Sequence, residues 1–338
     1  MAGGDGHRMW PLSRQSRPKQ LLTLGTDQTL VEQALERALL LAPKSNIWVG
    51  TTAQHAQALK SNIGNRVGRF IIEPGLRNTA PAILLNCLEL QDHDPEAMAI
   101  FFPADAFIPQ RDSKKFAAFI EFAVDYAFEH DEIVLLGVEP TYPATGYGYI
   151  EYDKQTARRA TAPYPVTRFR EKPSYEVAQQ FLEDGNKLWN VSIFCAKVST
   201  FIREFAAAAP AIYNAVCAYR RGEIPYDAIP ADSIDYAVIE RSEHIAVLPV
   251  DFSWCDVGNL EVYLSLKQNY NTLDANYIAI ASQNNLIDVP GKLVALVGVD
   301  NLCVVEVDDA LLIVNRSATE DVRGIVKLLK QRKNTHYL

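Results

Sequence analysis

The chain has 338 residues, enough for one large or two ordinary domains, and a hydrophobic content of 48% supplies a sizeable core. A net charge of −8 argues against a nucleic-acid partner, which calls for a basic face, and no apolar run reaches the roughly 18 residues of a membrane span. Nothing resembles a signal peptide, and five scattered cysteines without a CxxC pair read as reduced side chains with neither a disulfide frame nor a zinc site. The expected setting is cytoplasmic.

The first twenty residues stand apart, with Arg8, Arg14, Arg17 and Lys19 against Asp5 alone. Residues 3–20 read GGDGHRMWPLSRQSRPKQ. Glycines bring backbone N–H groups up to an anion and fixed cations close round it, so a polyphosphate is the expected guest. The stretch is not a P-loop, since no Lys follows Gly6, and not a dinucleotide fingerprint, since Met9 stands where a glycine is needed. A Gly/Pro-rich surface loop is the bland alternative.

Downstream, short apolar runs alternate with helical spacing, the pattern of a mainly parallel α/β sheet. Helices are expected over Leu30 to Leu41, Ala80 to Gln91 and Lys114 to His130. Strands are expected over Ile47 to Gly50, Phe70 to Glu73, Met98 to Pro103 and Glu132 to Val138. Ligands in such sheets bind beyond the carboxyl ends of the strands. Glu73 ends one strand, before Asn78 and Thr79, which open a helix and suit either a ligand or a cap. Asp105 follows another, and Asp256 stands in the later segment FSWCDVG; a strand-end Asp is also a common turn residue. Residues 140–260 are less regular and carry Gly146-Tyr147-Gly148-Tyr149, Glu171-Lys172-Pro173 and Trp189-Asn190. From about residue 284 the chain turns β-rich, with runs over Leu286 to Val289, Leu293 to Val297, Cys303 to Val307 and Leu311 to Val314. A helix with Val322, Ile325, Val326 and Leu329 on one face ends it. The expected division is 1–275 and 284–338.

The glycine-rich stretch, with Trp10 before Pro11 and Gln20 after Lys19, resembles the signature of sugar-nucleotide pyrophosphorylases, in the mannose-1-phosphate guanylyltransferase branch. The resemblance continues through EPGLRNTAPA, FREKP and the β-rich end. It implies a Rossmann-like, GT-A-like nucleotidyltransferase domain with a C-terminal appendage that is a candidate for oligomerisation, a homodimer included. It implies GTP and mannose 1-phosphate as substrates and Mg²⁺ as cofactor. Gly3, Gly4, Gly6, Glu73, Asn78 and Thr79 would then bind the nucleotide, with Glu73 accepting from guanine N1–H and N2–H2 together. Gly146, Tyr147, Glu171 and Asn190 would bind the sugar. Arg8 and Lys19 would hold the triphosphate, Lys172 the sugar phosphate, and Asp105 with Asp256 the metal. A sugar phosphate with second pKa near ~6 is largely dianionic at neutral pH, so in-line attack on the α-phosphorus needs no general base.

Three departures stand out. Relatives begin with an apolar strand leading into the glycine loop, whereas this sequence opens at Met1-Ala2-Gly3, so a central strand is expected to be missing. Ala106 stands where His is usual, and Val191-Ser192 replaces Ser-Gly after Asn190, which bears on the sugar pocket. A pyrophosphorylase for another sugar or base, and a catalytically weak homologue that binds GDP-mannose for regulation, are the competing readings.

Overall fold

The computed structural model describes residues 1–153 and 163–338. After the glycine loop the chain forms α1 (Leu30–Leu39), β1 (Trp48–Thr52), α2 (Ala53–Ile63), β2 (Arg69–Glu73), α3 (Thr79–His93), β3 (Met98–Phe101) and β4 (Ala106–Phe107). Helix α1 starts where the sequence places it because Thr29 and Glu32 form a reciprocal capping box. Strand β3 ends before Pro103, which has no N–H to donate to a ladder. Then come α4 (Ser113–His130), β5 (Ile133–Val138), β6 (Gly148–Tyr152), β7 (Tyr164–Glu171), α5 (Tyr175–Asp184), β8 (Lys187–Lys197), α6 (Val198–Ala208), α7 (Pro210–Arg220), β9 (Ile245–Pro249), β10 (Cys255–Asp256) and α8 (Leu260–Asn269).

The main sheet has six strands in the order β3-β8-β5-β9-β7-β6. The mainly parallel expectation needs correction at the level of neighbours. Strand β8 runs antiparallel between β3 and β5, β7 runs antiparallel between β9 and β6, and only β5 with β9 is a parallel pair in this sheet. The eleven-residue β8 and the β6–β7 hairpin come from the irregular middle of the sequence, where helical and strand spacing are mixed. Strands β3, β5, β6 and β9 therefore still share one direction. Beside the main sheet, β1 and β2 form a parallel pair.

Met1 and Ala2 lie in the gap between β1 and β3. The Met1 amine donates to Phe102 O at 2.9 Å, Ala104 N donates to Met1 O at 2.9 Å, and Ala2 N donates to Gly50 O at 2.8 Å. Those bonds are the parallel ladder of a central strand, present over two residues. Among the described strands β1 pairs only with β2 and β3 only with β8. The rest of the gap is a mostly apolar cavity of about 360 Å³, bounded by Met1, Val49, Ala99 and Phe101 and roofed by Leu35 and Ala38 of α1.

The C-terminal part coils through β11 (Ala275–Ile280), β12 (Leu286–Val297), β13 (Leu302–Val307) and β14 (Ala310–Asn315), and ends in α9 (Val322–Gln331). The two runs expected over 286–297 are one bent strand. Its first half pairs with β13 and its second half with β11, which the sequence reading missed. In α9, Val322 and Val326 are buried and Ile325 is exposed, so the apolar stripe is narrower than its spacing suggests. Val322 and Val326 share one core with Met9, Trp10 and Leu12, which fixes the glycine loop to the appendage. Among the described residues no helix is long and apolar enough to cross a membrane.

Candidate active site

The glycine loop folds back on itself at Gly6, whose φ of +63° is left-handed, and a Cβ there would lie 2.4 Å from Ser13 Oγ. Gly3 and Gly4 pass over the ends of β2 and β3. Cβ atoms on them would sit 3.7 Å from Glu73 Oε1 and 3.8 Å from Asp105 Oδ2. This backbone thus lies against two of the carboxylates that the sequence singles out, Glu73 and Asp105.

Asp105 and Asp256 come together because β4 and β10 pair antiparallel, with Asp256 opposite Ala106. Lys19 lies buried between them, its Nζ 2.9 Å from Asp105 Oδ2 and donating to Val257 O at 3.0 Å. Burial opposes its charge, but Asp105 and Asp256 outweigh that and hold its pKa above the ordinary lysine value. Burial pushes the Asp256 carboxyl up, the Asp105 charge adds to this, and Lys19 and Arg8 pull the other way. Two carboxylates brought together in this way are an oxygen donor set suited to a cation. Among the described residues no third His, Cys, Asp or Glu joins them.

Glu73 is placed differently from the expectation. It is 3% exposed, and its Oε2 accepts the Tyr226 hydroxyl at 2.6 Å. The Tyr226 bond takes one of the carboxylate's acceptor sites, leaving Oε1 and the second lone pair of Oε2, and burial restricts what can reach them. Burial raises its pKa from 4.5 to about 7, against the Tyr226 bond and the Met1 amine, which lower it. A folded carboxyl that keeps its proton longer than the unfolded chain adds stability fully present below about pH 4.5 and lost as pH rises through about 7. The loss is on the order of 3 kcal/mol. Glu73→Gln is expected to abolish that component, so urea unfolding of the variant should overtake the parent at pH 8 and match or trail it at pH 5. An equal difference at both pH values would rule this out.

Asn78 caps α3, its Oδ1 accepting from Thr79 N at 2.9 Å, and Thr79 Oγ1 accepts from Ile234 N at 2.9 Å. The Thr79 side chain therefore holds the segment 232–239 to the start of α3, which Asn78 caps. What they offer a nucleotide is the remaining Asn78 Nδ2 and the exposed turn before it.

On the other side of Asp256, Glu171 is buried with Lys172 Nζ 2.7 Å from its Oε1. Gly148 makes room for it, since a Cβ there would fall 2.6 Å from Glu171 Oε2. Asn190 Nδ2 donates to Asp235 Oδ1 at 3.0 Å, and Ser192 N donates to Asn190 Oδ1 at 3.0 Å. Asp235 went unnoticed in the sequence, where it follows no motif. Burial and the Glu171 charge push its carboxyl up to about 7, with Lys172 opposing. Tyr147 packs edge-on against Trp189 and Trp254, its ring centroid 5.1 and 5.3 Å away, while Gly146 borders open space. Lys172 also lowers the Asp256 pKa, so the two clusters act on each other electrostatically.

Of the two altered residues after Asn190, Val191 does not enter this pocket. Successive strand residues point to opposite faces, and Val191 is fully buried in the core with Val134 and Cys195. Ser192 takes φ +58°, where glycine is the usual residue. Val191 therefore leaves the Asn190 side of the strand clear, while Ser192 is exposed and bonded to the Asn190 side chain through its N–H.

The family model described as Nucleotidyl transferase matches residues 1–273, and that described as MannoseP isomerase/GMP-like beta-helix domain matches residues 275–329. Over 363 residues the chain is 34% identical to mannose-1-phosphate guanylyltransferase 2 of Escherichia coli O157:H7, covering all of this chain and 74% of that protein. It is 33% identical over 345 residues to the xanthan biosynthesis protein XanB of Xanthomonas campestris, covering 98% of this chain and 72% of that one. Among solved structures, a Thermus thermophilus protein described as a mannose-1-phosphate geranyltransferase superposes with a TM-score of 0.84 at 31% identity, covering 98% of both chains. A UDP-glucose pyrophosphorylase complexed with UDP-glucose, at 16% identity and a TM-score of 0.53, covers 80% of this chain and 96% of that one, and shares the fold.

Proposed function

The chain belongs to the nucleotidyl transferase family, among the mannose-1-phosphate guanylyltransferases, and from that premise we propose how its residues divide the reaction. The reaction forms GDP-mannose and pyrophosphate from GTP and mannose 1-phosphate, a step consistent with relatives named for xanthan and alginate biosynthesis. The observation that carries the assignment is Lys19 buried between Asp105 and Asp256 beneath the glycine loop.

In this reading the Gly3–Gly6 backbone and Arg8 receive the triphosphate, and Lys19 fixes the charge balance under it. The turn before α3, with Asn78 and Thr79, borders the base. Glu73 supports the loop from below, with Oε2 shared with Tyr226 and Oε1 toward Gly3. Glu171, Asn190, Gly146 and Tyr147 hold the sugar, with Asp235 behind Asn190. Lys172 holds the sugar phosphate, which is dianionic enough to attack without a base. Catalysis is then positioning plus charge neutralisation.

Enzymes of this kind generally use a divalent metal. We assign Mg²⁺ to Asp105 and Asp256, since it is commonly held by one or two carboxylates with phosphates and water completing the set. Bound there, it would supply charge neutralisation at the α-phosphate. The proposal includes a homodimer through the apolar appendage face that carries Ile278, Ile280, Leu293 and Val297, all exposed.

The test is pyrophosphate release from GTP and mannose 1-phosphate beside ATP, UTP and glucose 1-phosphate, with Mg²⁺ added or chelated. GTP with mannose 1-phosphate is expected to exceed every other pair by at least tenfold. Binding of GDP-mannose without turnover would instead indicate a regulatory homologue.

A further inference from the structure

We infer that Glu320, on the C-terminal appendage, is a positioning residue for Arg8 and so for the triphosphate. The inference rests on the assignment of Arg8 to the triphosphate. Both Glu320 carboxylate oxygens lie on one Arg8 nitrogen, Nη1, at 3.1 and 3.3 Å. No hydrogen bond to Arg8 Nε or Nη2 is found among the described residues, so the guanidinium fork keeps donors for a second anion after engaging the first. Gly258, two residues after Asp256, is close by, since a Cβ on it would sit 4.0 Å from Arg8 Nη1 and 3.2 Å from Asp256 Oδ2. The fork is therefore held at the Asp256 side of the site.

Glu320 is itself held. Asn259 caps α8 by accepting from Val262 N at 3.1 Å, and donates to Glu320 Oε1 at 2.9 Å. The same face is locked by Trp10 Nε1 donating to Tyr337 O at 2.8 Å and by Arg14 against Asp309 at 2.5 Å. The Arg8 and Glu320 side chains are 44% and 51% exposed, and an ion pair so solvated contributes little to stability. Its consequence is orientation: it fixes one rotamer-rich side chain before the nucleotide arrives.

Steady-state kinetics on Glu320→Ala, Arg8→Ala and the double variant, all in the full chain, test this. Glu320→Ala is expected to raise KM for GTP about fivefold, with KM for mannose 1-phosphate and the melting temperature unchanged. In the Arg8→Ala background the same change is expected to have no further effect, because residues acting as one unit are non-additive. A fall in KM for GTP would overturn the inference and make Glu320 a competitor for Arg8. So would a drop in melting temperature with unchanged KM, which marks a structural tie, or an unchanged KM with unchanged melting. If Arg8→Ala leaves KM for GTP unaltered, the assignment of Arg8 fails and takes the inference with it. If Arg8→Ala raises KM and Glu320→Ala does not, only the inference fails.

Discussion

Lys19→Met is expected to lower kcat/KM for GDP-mannose formation by about a thousandfold, the largest single effect in the molecule. Lys19 is 7% exposed, touches Asp105 at 2.9 Å and feels the charge of Asp256. Removing it takes the ion-pair partner from Asp105 and leaves Asp256 with only the Arg8 and Lys172 charges, at a cost to stability of about 3–5 kcal/mol for a broken buried pair. A preorganised charge on a transferring phosphoryl group accounts for about 3–4 kcal/mol more of the barrier. Stability and chemistry separate in the double variant Lys19→Met, Asp105→Asn. Neutralising Asp105 should restore most of the lost thermal stability, read by calorimetry, and none of the turnover, read by pyrophosphate release. Turnover of Lys19→Met within tenfold of the parent would remove Lys19 from the reaction.

The glycine loop was legible because it is contiguous: one stretch of sequence carries both its turn at Gly6 and its cations. The Asp105–Asp256 meeting was legible only through the resemblance, since a two-residue bridge between β4 and β10 leaves no periodic signal. Asp235, Tyr226 and Glu320 were not legible at all. Each acts through a long-range contact with Asn190, Glu73 or Arg8. Each looks in sequence like an ordinary surface or core residue. Glu73 shows the converse: its motif is plain, but burial and the Tyr226 hydroxyl change what the carboxylate has left to give. Strand order failed where the sheet is completed by late segments, because apolar spacing marks a strand without naming its neighbour. Strand β8 is the instance, antiparallel between two earlier strands.

Extending the chain ahead of Met1 by five β-branched apolar residues is expected to raise the melting temperature by roughly 4–8 °C, from a gain of about 2–4 kcal/mol. Met1 and Ala2 already hold the parallel register between β1 and β3, so an extended segment entering from Met1 continues an existing ladder. Its side chains would enter the cavity of about 360 Å³ bounded by Met1, Val49, Ala99 and Phe101. Each Val or Ile buried there contributes about 1.5–3 kcal/mol, against about 1–2 kcal/mol per residue for ordering its backbone. Backbone groups on the facing edges of β1 and β3 gain partners at the same time. A Gly/Ser segment of equal length is the control, since it supplies chain without side chains for the cavity. Equal melting of the two extended forms would show that the gap does not accept a strand. A gain confined to the apolar form, with KM for GTP lowered in parallel, would tie the ladder through Met1 to the glycine loop that begins two residues later.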